Sequence, residues 1–193
     1  DSVMKITNMS TGALGCVLSE TLLEEKNDEI NKIFYITTKM SYKPHTNSKK
    51  IEFITIESTQ DLIEALKKIF REHKIDVIIH SAAVGDYAGK YVVKAEDLVD
   101  EILNLIQNPK VVTNNSGKIS SYEPHLMTMF SLTPKVIGLI KQMEPNVKLV
   151  GFKLLDGVSK QELLKGASSL REKNHADYIV ANDLSKIGHG KHW

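Results

Sequence analysis

The chain has 193 residues, is 41% hydrophobic and 25% charged, and carries a formal net charge of +1. That balance is ordinary for a globular domain and gives no electrostatic case for nucleic acid or an anionic membrane as partner. Cys16 is the only cysteine, so neither an intrachain disulfide nor a cysteine-rich zinc site can form, and no apolar run reaches the ~18 residues of a membrane span. With no signal peptide visible, a reduced, cytoplasmic setting is expected.

Hydrogen-bonding residues Thr7, Asn8, Ser10 and Thr11 stand before Gly12 and Gly15, and a helical pattern follows at once. Ser10 or Thr11 is expected to cap that helix, and the glycines allow a ligand or another backbone to approach closely. A helix start with free N–H groups suits a phosphate or carboxylate. A nucleotide-binding α/β fold would place a strand before this motif. The expectation is therefore a missing N-terminal strand, and a missing C-terminal end.

Ala13–Glu25 reads as a helix with Leu14, Val17, Leu18 and Leu22 on its apolar face. Strands are predicted at Lys32–Thr38 and Ile51–Ile56, with a polar loop from Met40 to Lys50 between them. A helix starts at Thr59 with Asp61 in its first turn, and Leu62, Leu66, Ile69 and Phe70 form its buried face. Ile75–Ile79 has the doubly apolar pattern of a central parallel strand. His80-Ser81-Ala82-Ala83-Val84-Gly85-Asp86-Tyr87 follows, small residues first, then polar ones. An insertion is expected at about 88–117, with a helix over Ala95–Gln107 and a turn at Asn114–Gly117. Lys118–Phe130 reads as strand or hairpin interrupted at Pro124.

Thr133-Pro134 is expected to open a helix with Val136, Ile137 and Ile140 facing inward. Val147–Phe152 reads as a strand. Ser159 and Glu162 have capping-box spacing for a helix running to about Lys173. Asp177–Ala181 is the last clear strand, with Asn182-Asp183 at its carboxyl end, and Ile187–Gly190 reads as loop. The alternation predicts a Rossmann-like, doubly wound, mostly parallel α/β sheet with helices on both faces, in one nucleotide-binding domain. Ligands bind such sheets at the carboxyl ends of strands. Read singly, Asp86 is a turn residue, Lys118 a solvated lysine and Phe152 a core residue. The seven histidines form no metal-ligand pattern.

Taken in order, the motifs resemble the phosphopantothenoylcysteine synthetase family, the synthetase part of the DNA/pantothenate metabolism flavoproteins. They are Thr7-Asn8-x-Ser10-Thr11-Gly12-x-x-Gly15, Ala82-Ala83-Val84-x-Asp86-Tyr87, Lys118-Ile119, Thr133-Pro134-Lys135-Val136-Ile137, Val150-Gly151-Phe152 and Val180-Ala181-Asn182-Asp183. The resemblance implies a cytoplasmic, homodimeric ligase of coenzyme A biosynthesis, free-standing rather than fused to a decarboxylase. It implies 4′-phosphopantothenate, L-cysteine and a nucleoside triphosphate, CTP rather than ATP, as substrates, with Mg²⁺ held mainly by the nucleotide. By the same resemblance Asn8 and Lys118 are catalytic. Asn8, Ser10, Thr11, Gly12, Gly15, Ala82 and Ala83 would bind substrate. Ala83, Asp86, Lys118, Phe152, Lys165 and Lys173 would bind the nucleotide.

Two other readings compete. One is an NADP-dependent oxidoreductase of the short-chain type, since Tyr35-x-x-x-Lys39 has that family's spacing and Lys39 could meet a 2′-phosphate. The other is a non-catalytic nucleotide-sensing protein on the same fold.

Overall fold

The computed structural model describes residues 10–94 and 126–187. They fall into two compact units, one formed by residues 10–84 with 135–187, the other holding the described residues between 85 and 134.

The larger unit contains α1 (Ala13–Glu25), β1 (Ile33–Thr37), β2 (Ile51–Thr55), α2 (Thr59–Glu72) and β3 (Val77–His80). After the smaller unit the chain returns as α3 (Val136–Met143), β6 (Lys148–Leu155), α4 (Lys160–Asn174) and β7 (Tyr178–Asp183). β1 and β2 pair in parallel, and β3, β6 and β7 form a second parallel ladder in that order. The register sets His80, Gly151 and Ile179 level with one another. All strand carboxyl ends of that ladder therefore lie along one edge. This is the parallel-stranded α/β arrangement expected from the sequence.

Alternation along the strands separates two faces. Ile78, Leu149 and Ile179 point toward α2 and α3 and join Leu62, Ile63, Leu66, Val136, Ile140, Val147 and Ala176 in the core. Gly151 lies in the same layer, where a Cβ would come within 2.8 Å of both Ile137 and Ile179. Its smallness serves helix packing rather than a ligand, and β6 does not end there but continues to Leu155. α4 covers the same face further along, over Lys153 and Leu155. Val77, Ile79, Leu154, Tyr178 and Val180 alternate onto the opposite face and are exposed.

The helix ends follow their sequences closely in two cases. Ser58 and Asp61 form a reciprocal capping box on α2, as Ser159 and Glu162 do on α4. Leu62, Leu66 and Ile69 of α2 are buried as expected, with Phe70 packed against the cluster. α1 departs from expectation twice. Its N-cap is Gly12, in the left-handed region at φ 75°, rather than a serine or threonine side chain. Thr11 contributes only a long 3.4 Å bond from the Ala13 N–H. Its buried face is Cys16, Ser19 and Leu23, while Val17 is exposed. The small residues Gly15, Cys16 and Ser19 let the helix lie close to Tyr35 and Ser81, and that closeness overrides the leucine stripe.

The described residues of the smaller unit form an antiparallel ribbon of β4 (Tyr87–Lys94) and β5 (Leu126–Leu132), with a bulge between Gly89 and Tyr91. Residues 88–94, where the expected insertion begins, lie in this paired strand. Thr133 closes the ribbon, its N–H donating to Asp86 O at 2.9 Å and its hydroxyl to Gly85 O. Held there, Thr133 cannot start a helix, and α3 begins at Val136. The expected helix over 95–107, the turn at 114–117 and Pro124 lie outside the described residues.

At the amino edge of the larger unit, Asp177 gathers three elements. Its carboxylate accepts from Leu149 N at 2.9 Å and lies 2.8 Å from Lys141 Nζ and 3.2 Å from Lys148 Nζ. Lys141, itself little exposed, also donates to Val147 O at 2.6 Å. The Lys141 hydrogen bond, with Leu149 N–H next, holds the Asp177 carboxyl well below the usual carboxylate range. Asp177→Asn should cost about 2 kcal/mol at neutral pH, since charged hydrogen bonds are lost. A carboxyl depressed in the folded state stabilises above its unfolded pKa, near ~3.9, and loses that effect on acidification. Urea titrations of wild type and variant should therefore differ at pH 7, and the difference should begin to shrink only below pH ~4 and go on shrinking as the pH falls toward the depressed folded value.

His80 ends β3 largely withdrawn from water, and that burial pushes its imidazole from 6.5 down to about 4. Between those values the unfolded chain binds a proton that the folded chain does not, so stability falls as pH drops through this window. Melting temperatures of His80→Asn should fall less steeply over that range than those of wild type.

Candidate functional site

The carboxyl edge brings together segments that are distant in sequence. At Gly15, in the first turn of α1, a Cβ would lie 3.2 Å from Ser81 Oγ and 3.6 Å from the Tyr35 hydroxyl. The start of α1 and the loop leaving β3 therefore meet with no side chain between them. The loop after β1 is fastened to the same place. Tyr42 N donates to Thr11 O at 2.9 Å, the Tyr35 hydroxyl donates to Tyr42 O at 3.0 Å, and Thr38 and Ser41 share a 2.8 Å hydroxyl contact. Gly12 packs against Ser41, 3.0 Å from where its own Cβ would sit, so its left-handed backbone and its tight neighbour both require glycine.

Ser10, Thr11, Ala82 and Ala83 are exposed around this junction. The open first turn of α1 presents N–H groups there with the positive end of the helix dipole. Of the residues expected to bind substrate, the structure thus brings Thr11, Gly12 and Gly15 to the loop that carries Ala82 and Ala83. Asn8 and Lys118 lie outside the described residues. Asp86 belongs to the smaller unit, where its backbone carbonyl accepts from Thr133.

Phe152 sits on β6 just past the level of His80, on the face away from α3 and α4, beside Val180. It is half-buried. The two expected lysines are not with it. Lys165 and Lys173 are exposed on the outer side of α4, which covers the opposite face. Lys173 stands in the last turn of that helix. At 1.5 Å per residue, this puts it about 20 Å along the axis from the carboxyl-edge end. Right-handed crossover geometry explains this: the helix leaves β6 at the carboxyl edge and must finish at the amino edge to start β7. Lys160, at the opening of α4, lies nearer, in a cleft with Leu163, Ala181, Asp183, Lys186 and Ile187.

Asn182 is the residue whose importance the sequence understated. It is 5% exposed, and its Oδ1 has no hydrogen-bond partner among the described residues. Register places it beside Leu154 on the face that Phe152 and Val180 share. A buried acceptor left unpaired is costly, which marks the position as one that expects a donor. In the sequence its signals were its place at the carboxyl end of a parallel strand and its membership of the Val180-Ala181-Asn182-Asp183 motif. On the other face, the adjacent Asp183 carboxylate is fully engaged with Gly157, Ser185 and Lys186.

The oxidoreductase reading loses support here. Burial first, then the neighbouring Cys16 and Glu20, raises the Tyr35 phenol, the opposite of what a catalytic tyrosine needs. Lys39 lies 3.4 Å from Glu57 rather than standing free for a 2′-phosphate. Among the described residues no group of three or more His, Cys, Asp or Glu is placed to hold a metal, and no helix is long and apolar enough to cross a membrane.

Comparison with known proteins agrees with this arrangement. Residues 1–120 match the model of the DNA/pantothenate metabolism flavoprotein C-terminal domain. The coenzyme A biosynthesis bifunctional protein CoaBC of Thermococcus kodakarensis is 29% identical over 188 residues, covering 97% of this chain and 39% of its own. The corresponding protein of Methanocaldococcus jannaschii is 27% identical, covering 96% and 38%. The chain thus spans about two-fifths of the length of these curated relatives. Among solved structures, the DNA/pantothenate metabolism flavoprotein from Streptococcus pneumoniae superposes with a TM-score of 0.83 at 36% identity, over 100% of this chain and 80% of that one. A structure of Cab2 mutant H337A in complex with phosphopantothenate-cysteine shares the fold, with a TM-score of 0.62 at 14% identity over 94% of this chain and 67% of that one. The chain belongs to the DNA/pantothenate metabolism flavoprotein C-terminal domain family.

Proposed function

We propose that this protein ligates 4′-phosphopantothenate to L-cysteine in coenzyme A biosynthesis. The observation that carries the reading is the side-chain-free junction of Gly15 with Ser81, which opens an anion-binding helix start beside Ala82 and Ala83 in a chain of this family. Family relatives named as coenzyme A biosynthesis proteins, and a similar fold that holds phosphopantothenate-cysteine, support it.

The chemistry runs in two balanced steps. A pantothenate carboxylate oxygen attacks the α-phosphorus of the nucleoside triphosphate, and pyrophosphate leaves. The cysteine amine then attacks the acyl carbon, gives up a proton, and nucleoside monophosphate leaves. Fixed N–H dipoles and a cation stabilise the charge that develops at phosphorus. Lys118 is assigned that cation and Asn8 the acyl group. Ser10, Thr11, Gly12 and Gly15 form the anion cradle, and Ala82 and Ala83 leave room for the substrate. Asp86 and Phe152 are assigned to the nucleotide, and the orphaned Asn182 amide would accept from one of its N–H or O–H donors. Mg²⁺ enters with the triphosphate, whose oxygens supply most of its ligands. CTP is favoured over ATP. Lys160 replaces Lys165 and Lys173 as the α4 lysine closest to this edge.

A homodimer completes the reading. Among the described residues, the β4–β5 ribbon exposes Tyr87, Met127, Met129, Phe130 and Leu132. A second subunit would cover them.

The test is to incubate the full-length protein with Mg²⁺, 4′-phosphopantothenate and either CTP or ATP, then add cysteine. Pyrophosphate should appear before cysteine is added, more with CTP, and monophosphate and a new amide only afterwards. Lys118→Gln should slow the first step by about 100-fold or more, the scale of losing one transition-state cation or donor. No pyrophosphate with either nucleotide from a folded protein would sink the reading. Gly15→Val should crowd Ser81 and raise the KM for phosphopantothenate, whereas an unchanged KM would place the acid elsewhere. In light scattering, Phe130→Glu should shift the protein from dimer to monomer.

A further inference from the structure

The Asp183 carboxylate does more than end a strand. Its side chain is 3% exposed. Oδ1 accepts from Gly157 N at 3.0 Å, Ser185 N at 3.1 Å and Ser185 Oγ at 2.8 Å. Oδ2 lies 3.2 Å from Lys186 Nζ. These donors come from two separate pieces of chain, the loop between β6 and α4 and the single 3₁₀ turn Leu184–Lys186 that follows β7. Gly157 has φ +62° and nothing within 4 Å of where a Cβ would sit, so packing does not demand its conformation. The left-handed turn instead aims its N–H at Asp183. The preceding residue, Asn182, projects from the other face of the same strand end with its amide oxygen unpaired.

We infer that Asp183 is a positioning residue for nucleotide binding: by holding Gly157 N–H and the 184–186 turn, its carboxylate fixes the β6–α4 loop and sets the Asn182 amide at the carboxyl edge. The inference rests on the ligase reading above and adds a residue whose own atoms face away from the substrate. A carboxylate suits the place because all four contacts are donors, whereas an asparagine amide would turn N–H groups toward one side of them. The Ser185 hydroxyl first, then the Gly157 N–H and Lys186, hold this carboxyl down to about 2, so it is ionised throughout the working range.

The test uses the full-length protein and the variants Asp183→Asn, Gly157→Ala, Ser185→Ala and the Asp183→Asn/Gly157→Ala pair. Binding of Mg-CTP and Mg-ATP is measured by calorimetry, with steady-state kinetics and amide exchange at Gly157. Asp183→Asn should weaken nucleotide binding about tenfold or more, the scale of a lost charge-assisted bond, and raise nucleotide KM with kcat little changed. Its Gly157 amide should exchange faster. Gly157→Ala should reproduce the effect, and the double variant should be no worse than Asp183→Asn, because both remove one interaction. Wild-type affinity in folded Asp183→Asn, or simple additivity in the double variant, would overturn the inference while leaving the ligase reading standing. If wild type binds neither nucleotide, both fall. Should Asp183→Asn fail to fold, Gly157→Ala and Ser185→Ala decide: both must weaken binding, and wild-type affinity in both overturns the proposal.

Discussion

The close approach at Gly15 is the constraint on which the rest of the site depends. The first turn of α1 can lie against Ser81 and the Tyr35 hydroxyl only because no Cβ stands between them. A Cβ there would make the Ser81 hydroxyl give by a few tenths of an ångström, and a branched side chain would crowd both Ser81 and Tyr35 further. That contact joins the loop after β3 to the open N-terminus of a helix, and the Tyr42–Thr11 and Tyr35–Tyr42 hydrogen bonds add the loop after β1 to the same surface. It also accounts for the burial of Cys16 and Ser19 near the start of α1, where small residues fit, with Leu23 joining them further along.

Two aspartates mark the opposite edges of β7, and their roles differ. Asp177 precedes the strand and locks it to β6 and α3 through Leu149 N–H and Lys141. Asp183 ends the strand and binds loop N–H groups and the Lys186 ammonium. Parallel sheets make this division natural. The amino edge has only connections to secure, so its charges can be spent on stability. The carboxyl edge is where loops gather and where ligands bind, so an anchored loop there sets geometry. Asn182 beside Asp183 shows the consequence, one buried polar group fully paired and its neighbour left with an acceptor open.

Local signals in the sequence carried the parts of the fold that are local. The Ser58–Asp61 and Ser159–Glu162 boxes, the α2 stripe and the parallel strands were legible because capping and periodicity depend on near neighbours. The orientation of α1 was not, because it is decided by Tyr35 and Ser81, which are far away in sequence. The start of α3 was misread for the same reason, since Thr133 is held by Gly85 and Asp86. The candidate site was legible as motifs at strand ends, and the glycine loop and Ala82-Ala83 meet as those motifs imply. Asn182 was not legible as a site residue. It stood in a strand-end motif but without an assigned role, and it was the register beside Leu154, with no partner for Oδ1 among the described residues, that singled it out.

The lysines of α4 show how topology corrects a spacing argument. Counting residues from Phe152 takes no account of direction. In a βαβ unit the helix runs antiparallel to its strands, so each successive turn carries a side chain farther from the carboxyl edge. Lys160 begins that journey and Lys173 completes it. The face matters as much as the distance. Phe152 alternates away from α4, whereas Lys153 and Leu155 lie beneath it, so a cation on the outer side of α4 and an aromatic on the far side of the sheet cannot meet one small ligand. Of the α4 lysines, only Lys160 in the first turn stands near the carboxyl edge.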